Sequence, residues 1–184
     1  MAKNTERKAI DKILIILGIV ITFVLVVVGA IAWYGADFAK SMVTSQLSNQ
    51  NIYFPEKDSK AFMALSAADR AEIAPYVGRQ LTDGLQARAY ADHYIGAHLA
   101  EMADGKSYAE VSAELAKDPD NKELAALKAT MFQGETLRGM LLGNGYAFWM
   151  FGAIAQAVAI VSILGSIIMA VLVLLGFRHL AKLK

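Results

Sequence analysis

Two stretches of this chain contain no charged residue: Ile13 to Tyr34, 22 residues long, and Met140 to Phe177, 38 residues long. A helix rises about 1.5 Å per residue, so ~20 apolar residues cover the ~30 Å hydrocarbon core of a bilayer. Both stretches are long enough. Within hydrocarbon every backbone N–H and C=O must be bonded inside the segment, which favours a helix for each crossing. A content of 56% hydrophobic residues and a mean hydropathy of +0.40 are too apolar for an ordinary soluble domain of 184 residues. The sequence therefore predicts an all-α membrane protein. Two transmembrane helices, at 13–35 and 146–176, flank a small helical extracytoplasmic domain over 36–145, with tails at 1–12 and 177–184.

The net charge of +1 hides an asymmetry. Lys3, Arg7, Lys8 and Lys12 precede the first apolar stretch, against Glu6 and Asp11. Arg178, Lys182 and Lys184 follow the second with no acid. Residues 35–139 are left with 11 basic and 15 acidic side chains. Basic residues beside spans favour the cytoplasmic side, so both tails are expected there and the middle segment outside. Trp33 and Tyr34 end the first stretch, and Phe148, Trp149 and Phe151 mark the same side of the second, as headgroup-layer aromatics do. With no basic patch at domain scale, a nucleic-acid role is not expected.

There is no cysteine. Disulfides, iron–sulfur clusters, thiolate zinc sites and covalent haem attachment are excluded by that fact. The first apolar run is longer than the 7–15 residues of a signal-peptide core, and Ala30-Ile31-Ala32, a cleavage-like triplet, lies inside it. A retained signal anchor is the expectation.

Between the spans, Asn49 to Ser59 contains Pro55 and several turn formers, so it predicts a loop. Ser66 with Asp69 predicts a helix start, and Pro75 an early break. A longer helix is predicted from about Gly84 to Ala103, with Ala87, Ala91, Tyr94, Ile95, His98 and Met102 on one face and Asp104-Gly105 as its stop. Ser107 and Glu110 form a capping box for a helix to about Lys117. After Asp118-Pro119-Asp120-Asn121, Leu124, Leu127, Met131, Leu137 and Leu141 predict a helix leading towards the second span. Gly143-Asn144-Gly145 predicts a bend at the membrane surface.

Catalytic chemistry finds little to use. His93, His98 and Glu101 are the only plausible metal ligands, and the two histidines lie about 140° apart on a helix, not at the i, i+4 spacing of a helical zinc pair. No metal site and no cofactor is expected. Asp118, Asp120, Asn121 and Glu123 lack a calcium loop's spacing and suit a helix start. No nucleophile elbow, Walker sequence or dinucleotide fingerprint is present. Charge-free spans argue against a pump or proton relay, no filter sequence supports a channel, and with tails of about 12 and 7 residues a classical two-span receptor is not expected.

In the second span Ala155, Ala159, Ser162, Ser166 and Ala170 recur at steps of four and three, with Gly152 and Gly165 nearby. Gly18, Thr22 and Gly29 form a comparable stripe in the first. Small residues let helices approach in lipid, so these stripes serve either pairing of the two spans or packing on another protein. Gln156, the only amide in either span, is expected to bond across a helix interface.

The stretches NIYFPEKDS, QARAYADHYI, KSYAEVSAELAKDPDN and FQGETLRGMLL together resemble a family of actinobacterial two-span membrane proteins. Members of that family often carry the name of a ring-opening dioxygenase. This chain has neither a facial iron triad nor an oxygenase-sized soluble domain. The resemblance implies a bacterial plasma membrane and no mechanism. In actinobacteria the cytochrome bc–cytochrome oxidase supercomplex is similar in carrying small accessory subunits.

The expected function is a non-catalytic accessory subunit of a larger membrane complex, with that respiratory supercomplex as preferred host. Expected partners are other integral subunits and lipid. They are met by Ile52, Tyr53 and Phe54 outside the membrane and by Ala155, Gln156, Ala159, Ser162, Ser166 and Ala170 within it. Two alternatives differ in class: a stand-alone envelope protein binding lipid or a cell-wall partner, and an extracytoplasmic enzyme built on His98 and Glu101.

Overall fold

A computed structural model describes residues 2–182, with side chains from residue 6 onward. Lys184 and the side chain of Lys3, two of the tail cations, lie outside the described residues. All regular elements among the described residues are helical, apart from one isolated antiparallel bridge between Tyr53 and Gln80. The helices are α1 (Ala2–Asn49), α2 (Lys60–Ala64), α3 (Ala67–Ile73), α4 (Gly84–Tyr90), α5 (Gly96–Met102), α6 (Tyr108–Lys117), α7 (Lys122–Met140) and α8 (Phe148–Lys182). A 3-10 turn covers Ala74–Tyr76, and π-helical segments cover Ala91–Ile95 and Leu141–Ala147.

The chain forms two compact units. One comprises residues up to Phe38 together with Gly152 onward; the other runs from Ala39 to Phe151. In the first unit, α1 and α8 carry two helical stretches long and apolar enough to cross a membrane. Their glycines set the close approach. A Cβ built on Gly29 would lie 3.4 Å from Ser162 Cβ and 3.1 Å from Ile163 Cγ1, and one on Gly18 would collide with Val173 at 2.6 Å. The hydroxyls are satisfied along their own helices: Thr22 donates to Gly18 O at 2.7 Å and Ser166 to Ile163 O at 2.7 Å. Ala159, Ser162 and Ser166 are buried, whereas the leucines, isoleucines and valines around them stay largely exposed.

The second unit has a core of Val43, Leu47, Phe54, Phe62, Leu65, Ile73, Leu81, Ala87, Ala91 and Leu141. Its helix starts follow the side chains. Ser66 accepts from Asp69 N, Asn121 accepts from Leu124 N, and Ser107 with Glu110 and Asp83 with Gln86 form complete capping boxes. The helix ending at Met102 is closed by Asp104 at φ 53° and Gly105 at φ 76°, with Gly105 N donating to Ala100 O at 2.8 Å.

Beyond residue 35, α1 continues to Asn49, with Ala36, Ala39, Val43 and Leu47 keeping a buried stripe at helical spacing. Gly143-Asn144-Gly145 lies in the π-helical segment between α7 and α8. Two sequence expectations need correction. First, the π-helical turn at Ala91–Ile95 inserts one extra residue, so the buried face passes from Ala87 and Ala91 to Leu99 and Ala103, not to His98 and Met102. Second, in α7 the buried position between Met131 and Leu141 is Gly134, while Leu137 is exposed.

Candidate functional site

The second unit encloses a cavity of ≈ 360 Å³. The last turns of α1 supply Val43, Gln46 and Leu47, and Gln50 and Ile52 follow them. Tyr90 and Ile95 come from α4 and its π-helical turn. Leu137, Met140, Leu141, Asn144 and Gly145 come from α7 and the second π-helical segment.

Local chemistry places each wall. Val43 and Leu47 are buried at i, i+4, which leaves Gln46 and Gln50 exposed at the rim. Asn51 takes a left-handed conformation, φ 52°, and turns the chain out of α1. Ile52 is then held by Leu81 N, which donates to Ile52 O at 2.9 Å, and Gln80 Nε2 donates to Ser48 O at 2.8 Å. At Gly145 a Cβ would lie 2.9 Å from Ala87 Cβ, so only glycine lets the second π-helical segment lie this close to α4.

Among the described residues no Asp, Glu, Lys, Arg or His lines this cavity. Tyr90 is its one ionisable wall, and burial, with Tyr94 alongside, pushes its phenol up to about 12. The same ring belongs to an aromatic row. Phe54 meets Tyr76 and Tyr90, each at 5.2 Å between centroids, Tyr90 meets Tyr94 at 4.8 Å, and Tyr94 meets His98 at 4.7 Å. Such edge and tilted contacts stiffen a wall. A wall of this kind can hold apolar matter and offer neutral amides at its rim. It offers no general base or nucleophile.

The histidines and the carboxylates lie elsewhere, several of them in bonded pairs. His93 Nδ1 is 3.0 Å from Asp69 Oδ1. Ser66 Oγ donates to the other Asp69 oxygen at 2.6 Å, and these bonds, that of Ser66 first, lower the Asp69 pKa. His98 donates from Nδ1 to Tyr94 O at 2.8 Å, within its own helix, while Glu101 is exposed. Among the described residues no three His, Asp or Glu side chains come together as a metal site would require. Asp118 and Asn121 bond to each other at 3.1 Å at the start of α7.

The expected contact residues separate. Tyr53 is 54% exposed, Ile52 half-buried against the cavity, and Phe54 only 2% exposed in the core, so Phe54 is a packing residue and not a free contact. In α8, Ala159, Ser162 and Ser166 are buried and Ala155, Gln156 and Ala170 half-buried. Of the two uses open to the small-residue stripes, pairing of α1 with α8 accounts for the buried ones. The cavity itself was not foreseen. Leu137 and Leu141 looked like core, and nothing in the amide spacing of Gln46, Gln50 and Asn144 points to a common rim.

No protein-family model matches the chain, no characterised protein is similar to it in sequence, and no solved structure is similar in fold.

Proposed function

We propose that the chain is a two-span plasma-membrane protein that works by contact rather than by catalysis, as an accessory subunit of a larger membrane assembly. Both tails lie in the cytoplasm and the Ala39–Phe151 unit lies outside. The observation that carries this reading is the apolar surface left on that unit. Phe132 and Met63 are each 59% exposed, and Leu85, Met102 and Tyr53 are at least half exposed. These side chains are the apolar surface that a protein partner would cover. The pairing of His93 and His98 with Asp69 and a backbone carbonyl supports a structural use of both, against an enzyme built on His98 and Glu101.

The preferred host is the actinobacterial respiratory supercomplex, an assembly that is similar in carrying small accessory subunits. A second reading, an envelope protein that acts alone by binding lipid, is favoured by the uncharged cavity. Native electrophoresis of host membranes in mild detergent separates the two. Comigration of this chain with oxidase activity is expected, and its deletion should weaken assembly while leaving turnover. Migration only as a free monomer or small homo-oligomer would remove the accessory-subunit reading.

A further inference from the structure

We infer that the cavity between the end of α1, the α4 π-helical turn and the end of α7 is a binding site for one acyl chain of an uncharged-linkage glycerolipid. This goes beyond the subunit reading and is independent of which assembly hosts the chain.

The walls set the ligand's polarity. Val43, Leu47, Ile95 and Leu141 form an apolar lining, and the volume of ≈ 360 Å³ lies at the small end of ligand pockets, which run about 300–1,000 Å³. The rim sets the head. Gln46, Gln50 and Asn144 are exposed carboxamides, able to donate to ester carbonyls. No lysine, arginine or histidine lines the site to neutralise a carboxylate or a phosphate, so the groups that reach the rim carry no charge. Tyr90, raised to about 12, stays a neutral phenol at any physiological pH and does not change this. In sequence, Leu141, Asn144 and Gly145 lie within the charge-free run from Met140 to Phe177, so the lining is continuous in the chain with a segment suited to lipid.

The test uses the full-length protein reconstituted in phosphatidylcholine vesicles doped with a phosphatidylcholine carrying a photoreactive diazirine in one acyl chain. Fragments containing residues 43–52 and 137–145 should be labelled. Met140→Trp and Leu137→Trp, on exposed positions at the cavity wall, should each lower that labelling at least five-fold, with labelling over residues 13–34 unchanged as the internal reference. Should either variant lose its helical spectrum, Gln50→Leu with Asn144→Leu reads the same fragments from the exposed rim. A diazirine fatty acid supplied to undoped vesicles should label them at least five-fold less than the glycerolipid does. Labelling by the fatty acid at an equal or greater level overturns the uncharged-head assignment. Labelling confined to 13–34, or unchanged by every variant, overturns the site. None of these results depends on the native-gel behaviour that tests the subunit reading.

Discussion

Arg138 Nε donates to the carbonyl oxygen of Ala91 at 3.0 Å, across 47 positions of the chain. That oxygen also accepts from Gly96 N, the bond that closes the π-helical turn at Ala91–Ile95. The arginine is fixed in place by Glu135, at 2.9 Å, and approaches Asp92 at 3.5 Å. One side chain thus ties α7 to the bulge that sets the phase of α5. A hydrogen bond from a charged group contributes about 1.5–3 kcal/mol. Arg138→Met should lower the unfolding free energy of the protein in detergent by about that much, measured by denaturant titration followed by circular dichroism. A loss below ~0.5 kcal/mol would show that the bulge holds without it.

Gly134 and Gly139 lie on the same helix with opposite surroundings. A Cβ on Gly134 would meet Leu99 Cδ2 at 2.6 Å, whereas one on Gly139 meets nothing within 4 Å. Gly139→Ala should stabilise by ~0.5–1 kcal/mol through helix propensity. Gly134→Ala should destabilise, since overpacking typically costs ~1–3 kcal/mol and exceeds that gain. The melting temperatures of the two variants should therefore move in opposite directions.

The acid limb of stability depends on Asp69. Its pKa is lowered from the ordinary 3.8 by the Ser66 bond first and by His93 next, against opposing burial. A carboxyl whose folded pKa is depressed contributes stability above its unfolded value and loses it as pH falls through the folded one. Part of the stability should therefore disappear on acidification below about 3.8. Asp69→Asn should lower stability at neutral pH and flatten that loss. An unchanged acid limb in the variant would remove Asp69 from the explanation.

How much of this was legible beforehand follows from what local sequence encodes. Ser66 and Ser107 announced their helices, because a cap is a bond between neighbours. Asp83 with Gln86 is equally local and went unread. The π-helical turn at Ala91–Ile95 carries no residue signature, so the phase after it slipped by one, from His98 to Leu99. Gly134 and Gly145 look like weak helix positions until the partners that need their missing Cβ, Leu99 and Ala87, are in place. The cavity was hidden for the same reason: its walls come from three segments far apart in sequence.

Pairing of α1 with α8 admits a covalent check. The chain has no native cysteine, and Cβ atoms at positions 29 and 162 would sit 3.4 Å apart, close to the ~3.5–4.5 Å of disulfides. Gly29→Cys with Ser162→Cys should oxidise to an intramolecular bond, seen as a faster band on a non-reducing gel. Dimers in place of that band would indicate that these faces meet between copies.

The central claim is that two crossings hold the Ala39–Phe151 unit outside the cytoplasm, and single-cysteine labelling of intact cells tests it most directly. Glu6 and Lys57 are both exposed, one in each unit. The account predicts that Lys57→Cys reacts with a membrane-impermeant maleimide in intact cells, while Glu6→Cys reacts only after the membrane is opened. Reaction of Glu6→Cys in intact cells, with Lys57→Cys protected, would contradict it.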